Sequence, residues 1–142
     1  MTNDLEVRYN AYLTSINERR FDDLVQHVHE ELTYNGSPMT VEQYQELITA
    51  SVTAMPDLLF KPQLLVVAEH QVACRLVYDC TLQGELFGYT GDGARLHFAE
   101  HAFYRYRDGR IAAVESLFDS AAIAQQLSAQ GQEKAPDFEE PR

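Results

Sequence analysis

The chain has 142 residues, 45% of them hydrophobic and 23% charged, with a formal net charge of −11. That length and balance fit one globular domain whose core needs neither disulfide nor metal to fold. The excess of acid argues against nucleic acid and anionic membranes as partners, and no window is apolar enough to span a bilayer.

The opening residues are polar and acidic, unlike a secretory signal, so a cytoplasmic location is expected. Leu5, Tyr9, Tyr12, Leu13 and Ile16 recur at helical spacing, predicting a helix over 5–19. A second short helix is expected over 21–28, with Asp22 and Asp23 in its first turn. Residues 31–35 read as a short strand ending in the turn residues Asn35, Gly36, Ser37 and Pro38. Thr40 and Gln43 have the spacing of a capping box, and the stripe Tyr44, Leu47, Ile48 and Val52 continues as a helix that Pro56 ends.

Beyond Pro56 the pattern becomes β-prone. Residues 58–67 are apolar, and Val72, Cys74, Leu76, Tyr78, Cys80 and Leu82 alternate with period two. Cys74 and Cys80 lie about 20 Å apart along one strand, at roughly 3.3 Å per residue. That exceeds the limit of about 7 Å for a disulfide, so both thiols are expected reduced, as suits the cytoplasm. With no further cysteine, no structural zinc site is expected. Glycines 84, 88, 91 and 93 mark a long connection, and residues 95–107 form a long strand. Asp108 and Gly109 signal a hairpin, 110–118 the returning strand and 120–127 a final helix. The single domain is expected to end near residue 128, with a disordered polar tail over 129–142. Helices followed by antiparallel strands give an α+β class, a curved sheet wrapped over the N-terminal helices around an apolar cavity. Aromatic residues on both faces of that sheet suggest a homodimer.

The register of the 108–109 hairpin decides which polar groups meet. A two-residue turn puts Phe98, Glu100, Ala102 and Tyr104 on a face with Glu115, Leu117 and Asp119. A three-residue loop with Gly109 as the bulge residue instead puts His97, Ala99, His101 and Phe103 there, with His101 opposite Glu115 and His97 opposite Asp119. The second is preferred because it gives each acid an imidazole partner. The two histidines lie about 13 Å apart along a strand, too far to share a metal. Asp119, where the last strand meets the last helix, reads either as an N-cap or as a pocket carboxylate that exchanges a proton. The candidate catalytic residues are Asp119 and His101. Tyr34 and Asn35 at the mouth, with His97, Glu115 and Tyr104, are the candidate substrate contacts.

The stretch HFAEHAFYRYRDGRIAAVESLFDSAAIAQQL resembles the closing hairpin and helix of the SnoaL-like polyketide cyclases, within the nuclear transport factor 2-like superfamily. Arg105, Tyr106, Asp108, Gly109, Arg110, Ile111, Asp119, Gln126 and Leu127 carry the match, and the likeness extends over roughly residues 3–128. Glu115 falls where the family has a tryptophan. The resemblance implies a cone-shaped α+β barrel, often dimeric through its sheet. It also implies intramolecular aldol ring closure of a small hydrophobic carbonyl compound without metal or organic cofactor, with Asp119 as general acid/base. Because the same superfamily includes non-catalytic binders, a small-molecule binding protein is the alternative.

Overall fold

The computed structural model describes residues 4–86 and 88–131. Helix α1 (Asp4–Asn17) buries Leu5, Tyr9, Tyr12, Leu13 and Ile16, one helical face as the spacing predicts. Its end is fixed by two side chains. Asn17 donates to the Phe60 carbonyl and accepts from the Phe60 amide, at 3.0 and 2.7 Å. Arg19, in the left-handed region at φ 62°, reaches the carbonyls of Ile16, Pro56 and Leu58. The expected second short helix is a 3-10 helix (Phe21–Gln26).

The first strand, β1 (Val28–Tyr34), starts earlier than its composition suggests, and β2 (Ser37–Thr40) folds back on it as a hairpin. The stretch that reads as a plain turn is therefore half strand. Its polar and proline residues sit at a sheet edge, where Pro38 is tolerated. Thr40 then caps helix α2 (Val41–Ala54), and both hydrogen bonds of the capping box are present.

Strands β3 (Pro62–Val67), β4 (Gln71–Leu82), β7 (Ala94–Arg107) and β8 (Arg110–Phe118) complete a six-stranded sheet of order β2-β1-β8-β7-β4-β3. The β1–β8 pair is parallel and the others antiparallel. The glycine-rich connection carries its own two-residue strands, β5 (Glu85–Leu86) and β6 (Tyr89–Thr90). The curved sheet packs its concave face on α1 and α2, the expected α+β arrangement.

Helix α3 (Ser120–Ala129) follows β8 directly. Residues 94–99 of β7 extend past the end of β8, and their backbone needs other partners. Gln126 supplies them at His97, accepting from its amide at 2.7 Å and donating to its carbonyl at 2.6 Å. Gln130 does the same at Arg95, at 2.9 and 2.7 Å. The fold thus runs through residues 129–131, past the expected boundary, while residues 132–142 of the expected disordered tail lie outside the described residues.

The hairpin register corrects the sequence expectation. Asp108 and Gly109 form a two-residue turn with φ of 51° and 80°, both positive as a type I′ turn requires. Arg107 pairs with Arg110 and Tyr106 with Ile111, but the next pair is Arg105 with Ala113. Ala112 is left over as a bulge, and from there β8 changes phase. Val114, Ser116 and Phe118 turn toward the concave side, and Glu115 and Leu117 are exposed. Tyr104 lies opposite Val114, Ala102 opposite Ser116, and Glu100 opposite Phe118. Neither expected pairing of acids and histidines forms. The preferred three-residue loop is overturned by the turn itself, and the inward set Glu115, Leu117 and Asp119 by the bulge.

Candidate active site

Between the helices and the concave face lies a cavity of about 320 Å³. Its walls are aromatic: Tyr12, Tyr34, Tyr44, Phe60, Tyr78, Phe98, Tyr104 and Phe118, with Ile48, Met55, Leu58 and Val114 between them. Tyr12 and Tyr44 come from facing stripes of α1 and α2, Tyr78 from β4, and Phe98 and Tyr104 from β7. The rings are packed against one another, Tyr78 at 5.1 Å from Phe98 and 5.5 Å from Phe60 between centroids. Such tilted and edge-on contacts hold the wall rigid.

One carboxyl group sits inside this wall. Glu100 is 7% exposed, on the inward face of β7 between Phe98 and Ala102. The Tyr78 hydroxyl donates to its Oε1 and the Ser116 hydroxyl to its Oε2. Burial raises the proton affinity of Glu100 above the ordinary carboxyl range, and the bonds from Ser116 and Tyr78 partly oppose that rise. The result is an acid with a raised pKa, solvated by two hydroxyls that can donate to the carboxylate or accept from the carboxylic acid.

Two further hydroxyls line the cavity together. Tyr12 Oη and Tyr44 Oη are 2.6 Å apart. One O–H is consumed in that bond, so the pair keeps one O–H to offer a ligand oxygen. Burial is the first cause holding both phenols well above their usual range, so they stay protonated donors.

The residues expected from sequence divide into two groups. Tyr34 and Tyr104 line the cavity. Asn35 does not line it. At φ 49° it turns its amide onto β8, donating to the Ser116 carbonyl at 3.2 Å and accepting from the Ser116 amide at 2.7 Å. It therefore fixes the residue that holds Glu100. The side chains of His97, His101 and Glu115 are on the convex face. His101 Nε2 lies 2.7 Å from Arg75 Nη1, which donates to it. Asp119 is exposed and its Oδ1 accepts from the Ala122 amide at 3.1 Å, the N-cap geometry of α3. Among the described residues no three His, Cys, Asp or Glu side chains converge as metal ligands.

Glu100 was legible only as a member of the less favoured register. A signal was present in β7 itself. Leu96, Phe98, Ala102, Tyr104 and Tyr106 alternate as one apolar face that contains Glu100, whereas the other face carries His97, His101, Arg105 and Arg107.

The profile of the SnoaL-like polyketide cyclase family matches residues 6–127. A SnoaL-like polyketide cyclase from Agrobacterium tumefaciens is 34% identical, superposes with a TM-score of 0.83, and is covered over 99% of its chain and 89% of this one. TsrD from Streptomyces laurentii, at 20% identity, superposes with a TM-score of 0.80 over 89% of this chain and 96% of its own. A candidate polyketide cyclase from Acidithiobacillus ferrooxidans, at 16% identity, gives 0.79 over 91% and 97%. The last two share the fold. No protein of curated function matches the sequence.

Proposed function

Because this chain belongs to the SnoaL-like polyketide cyclase family, we propose that it performs cofactor-free acid/base chemistry on a small carbonyl compound held in the aromatic cavity, closing a ring by an aldol-type step. The observation that carries this reading is Glu100, a carboxyl group of raised proton affinity inside an apolar wall. In its ionised form it removes a proton alpha to a carbonyl, and the electrons pass to the carbonyl oxygen as an enolate. The free O–H of the Tyr12–Tyr44 pair donates to that oxygen. The enolate carbon then attacks a second carbonyl of the same molecule, and the proton on Glu100 returns to the new alkoxide. The family resemblance points to Asp119 for the same role. Its engagement with the Ala122 amide supports a capping role instead, and the Gln126 clamp on β7 accounts structurally for a glutamine in the same motif.

The test is exchange of the alpha protons of 2-tetralone, an enolisable bicyclic ketone, into deuterated water, followed by proton NMR. Glu100→Gln is expected to lower the exchange rate by about 10²-fold or more, the scale of a lost general base. Asp119→Asn, which preserves a good cap, is expected to leave it unchanged. Loss of exchange in Asp119→Asn with Glu100→Gln still active would return the role to Asp119. The second reading, a binding protein without turnover, is favoured by one observation: both Glu100 oxygens already have donors, as in a carboxyl kept only for structure. It predicts ligand binding with no exchange in any variant.

We also propose that the protein is a cytoplasmic homodimer formed through the convex sheet face. Its two buried, free cysteines suit a reducing compartment, and among the described residues no helix is long and apolar enough to cross a membrane. The convex face carries exposed Leu64, Val66, Phe103 and Leu117 on neighbouring strands.

A further inference from the structure

We propose that the cavity selects by charge as well as by shape: its ligand is a compact, bicyclic-sized molecule with no negative charge, and Glu85 at the rim enforces the exclusion of anions. The proposal deepens the reading of the cavity as the reaction site, but it concerns binding and can fail separately from the proton-transfer step.

The first ground is the make-up of the wall. Of the described residues that line the cavity, those that carry a carboxyl group are Glu85 and Glu100; Lys, Arg and His are absent from that lining. The phenols of Tyr12, Tyr34, Tyr44, Tyr78 and Tyr104 are all held above their usual range, chiefly by burial, so they are neutral. A carboxylate or phosphate moved into this space would leave its hydration shell and meet no cation, and an unpaired buried charge is the costliest group to bury. The Tyr12–Tyr44 pair offers it one O–H, too little to replace that shell. Arg19, the guanidinium bound to the segment that supplies Leu58, is already committed to the carbonyls of Ile16, Pro56 and Leu58.

The second ground is the approach. Glu85 is exposed and lines both the cavity and an open groove along the outer side of α2, so it stands where the two meet. Glu42 and Glu46 line the same groove. With a whole-chain charge of −11, the potential at the mouth is negative, lowering the local concentration of anions and raising that of cations. Aromatic faces inside act in the same direction, since their quadrupoles attract cations and repel anions.

The third ground is volume. About 320 Å³ lies at the lower end of the roughly 300–1,000 Å³ seen for small-molecule pockets. One or two fused rings fit such a space.

Three probes that share one ring system separate these effects: 2-naphthylmethanol, 2-naphthylmethylammonium and 2-naphthoate, titrated calorimetrically into the full chain at pH 7.5 and fixed low salt. The alcohol and the ammonium are expected to bind at least about tenfold tighter than the carboxylate, a gap that added salt narrows. Glu85→Lys is expected to shrink the gap by about tenfold, mainly through tighter carboxylate binding. Carboxylate binding as tight as that of the alcohol in the wild type overturns the charge selection, and an unchanged gap in Glu85→Lys overturns the role of Glu85. Binding of none of the three overturns the bicyclic size. Preserved probe order with no 2-tetralone exchange would sink the proton-transfer reading alone, and Glu100-dependent exchange with anion preference would sink the present one alone.

Discussion

The Glu100 carboxyl is held in a chain of contacts that begins outside the cavity. Asn35 brackets the Ser116 backbone, and the Ser116 hydroxyl meets Glu100. Ser116 stabilises the charged form of Glu100, so loosening it should raise the proton affinity of Glu100 further. Asn35→Gly suits the positive φ while removing the bracket, and, like Ser116→Ala, is expected to move the acid limb of the exchange rate to higher pH. An unmoved pH profile with a lower maximum would make Asn35 a structural residue only. The same raised pKa makes a stability prediction. Glu100 binds its proton more tightly folded than unfolded, so its contribution is full below the unfolded value of about 4.3 and is lost as pH rises through the folded value. Wild-type urea midpoints should therefore fall relative to those of Glu100→Gln as pH rises across that window. Parallel curves would mean that Glu100 titrates as it does in the unfolded chain. Asn35 was legible as a residue of interest but not as a clamp, because its partner stands 81 positions away.

Helix α2 shows what local chemistry can specify by itself. Thr40 and Gln43 are three residues apart, and their side chains satisfy each other's backbone amides without help from the rest of the fold. Thr40→Ala should cost about 1 kcal/mol of unfolding free energy, measured by urea titration, and no measurable loss would mean that tertiary contacts alone hold the end of α2. The Asp108–Gly109 turn and the alternation of β4 were equally legible. Strand β8 was not. The run Ile111, Ala112, Ala113 and Val114 is buried throughout, so no polar residue marks which of them is left unpaired. Only the competition between a two-residue turn at one end and the packing of Val114 and Phe118 at the other decides it, and that competition is tertiary. The four-residue strand β2 was missed for the opposite reason: its residues are turn formers that pair because β1 offers them an edge.

At the scale of the whole molecule, the sheet separates two chemistries. Its concave face carries the aromatic wall and Glu100. Its convex face carries Arg75, His101, Arg105 and Glu115 among exposed apolar side chains, of which Leu117 is 76% exposed. A two-fold axis through that face would bring acid against base as well as bury Phe103 and Leu117. Leu117→Glu is expected to shift the protein from dimer to monomer in light scattering, with the 2-naphthylmethanol affinity unchanged because the cavity lies on the other face of the sheet. A wild-type monomer at micromolar concentration would overturn the dimer. The fold class was legible from the order of helices and strands, and the family from the closing hairpin. The exclusion of Glu115 from the cavity was not, because it depends on one unpaired alanine.

That alanine makes the inward set of β8 a matter of pairing rather than of composition. Loss of the single codon for Ala112 would join Ala113 to Ile111 and leave Val114, Ser116 and Phe118 opposite Tyr104, Ala102 and Glu100, whereas closing the bulge with Ala112 retained would turn Glu115 and Leu117 inward and Ser116 and Phe118 outward. In that second case the cavity would lose an aromatic wall and a hydroxyl and gain a second carboxyl, with no residue of the chain changed. A one-residue slip, without any substitution, can recast which compounds such a scaffold accepts.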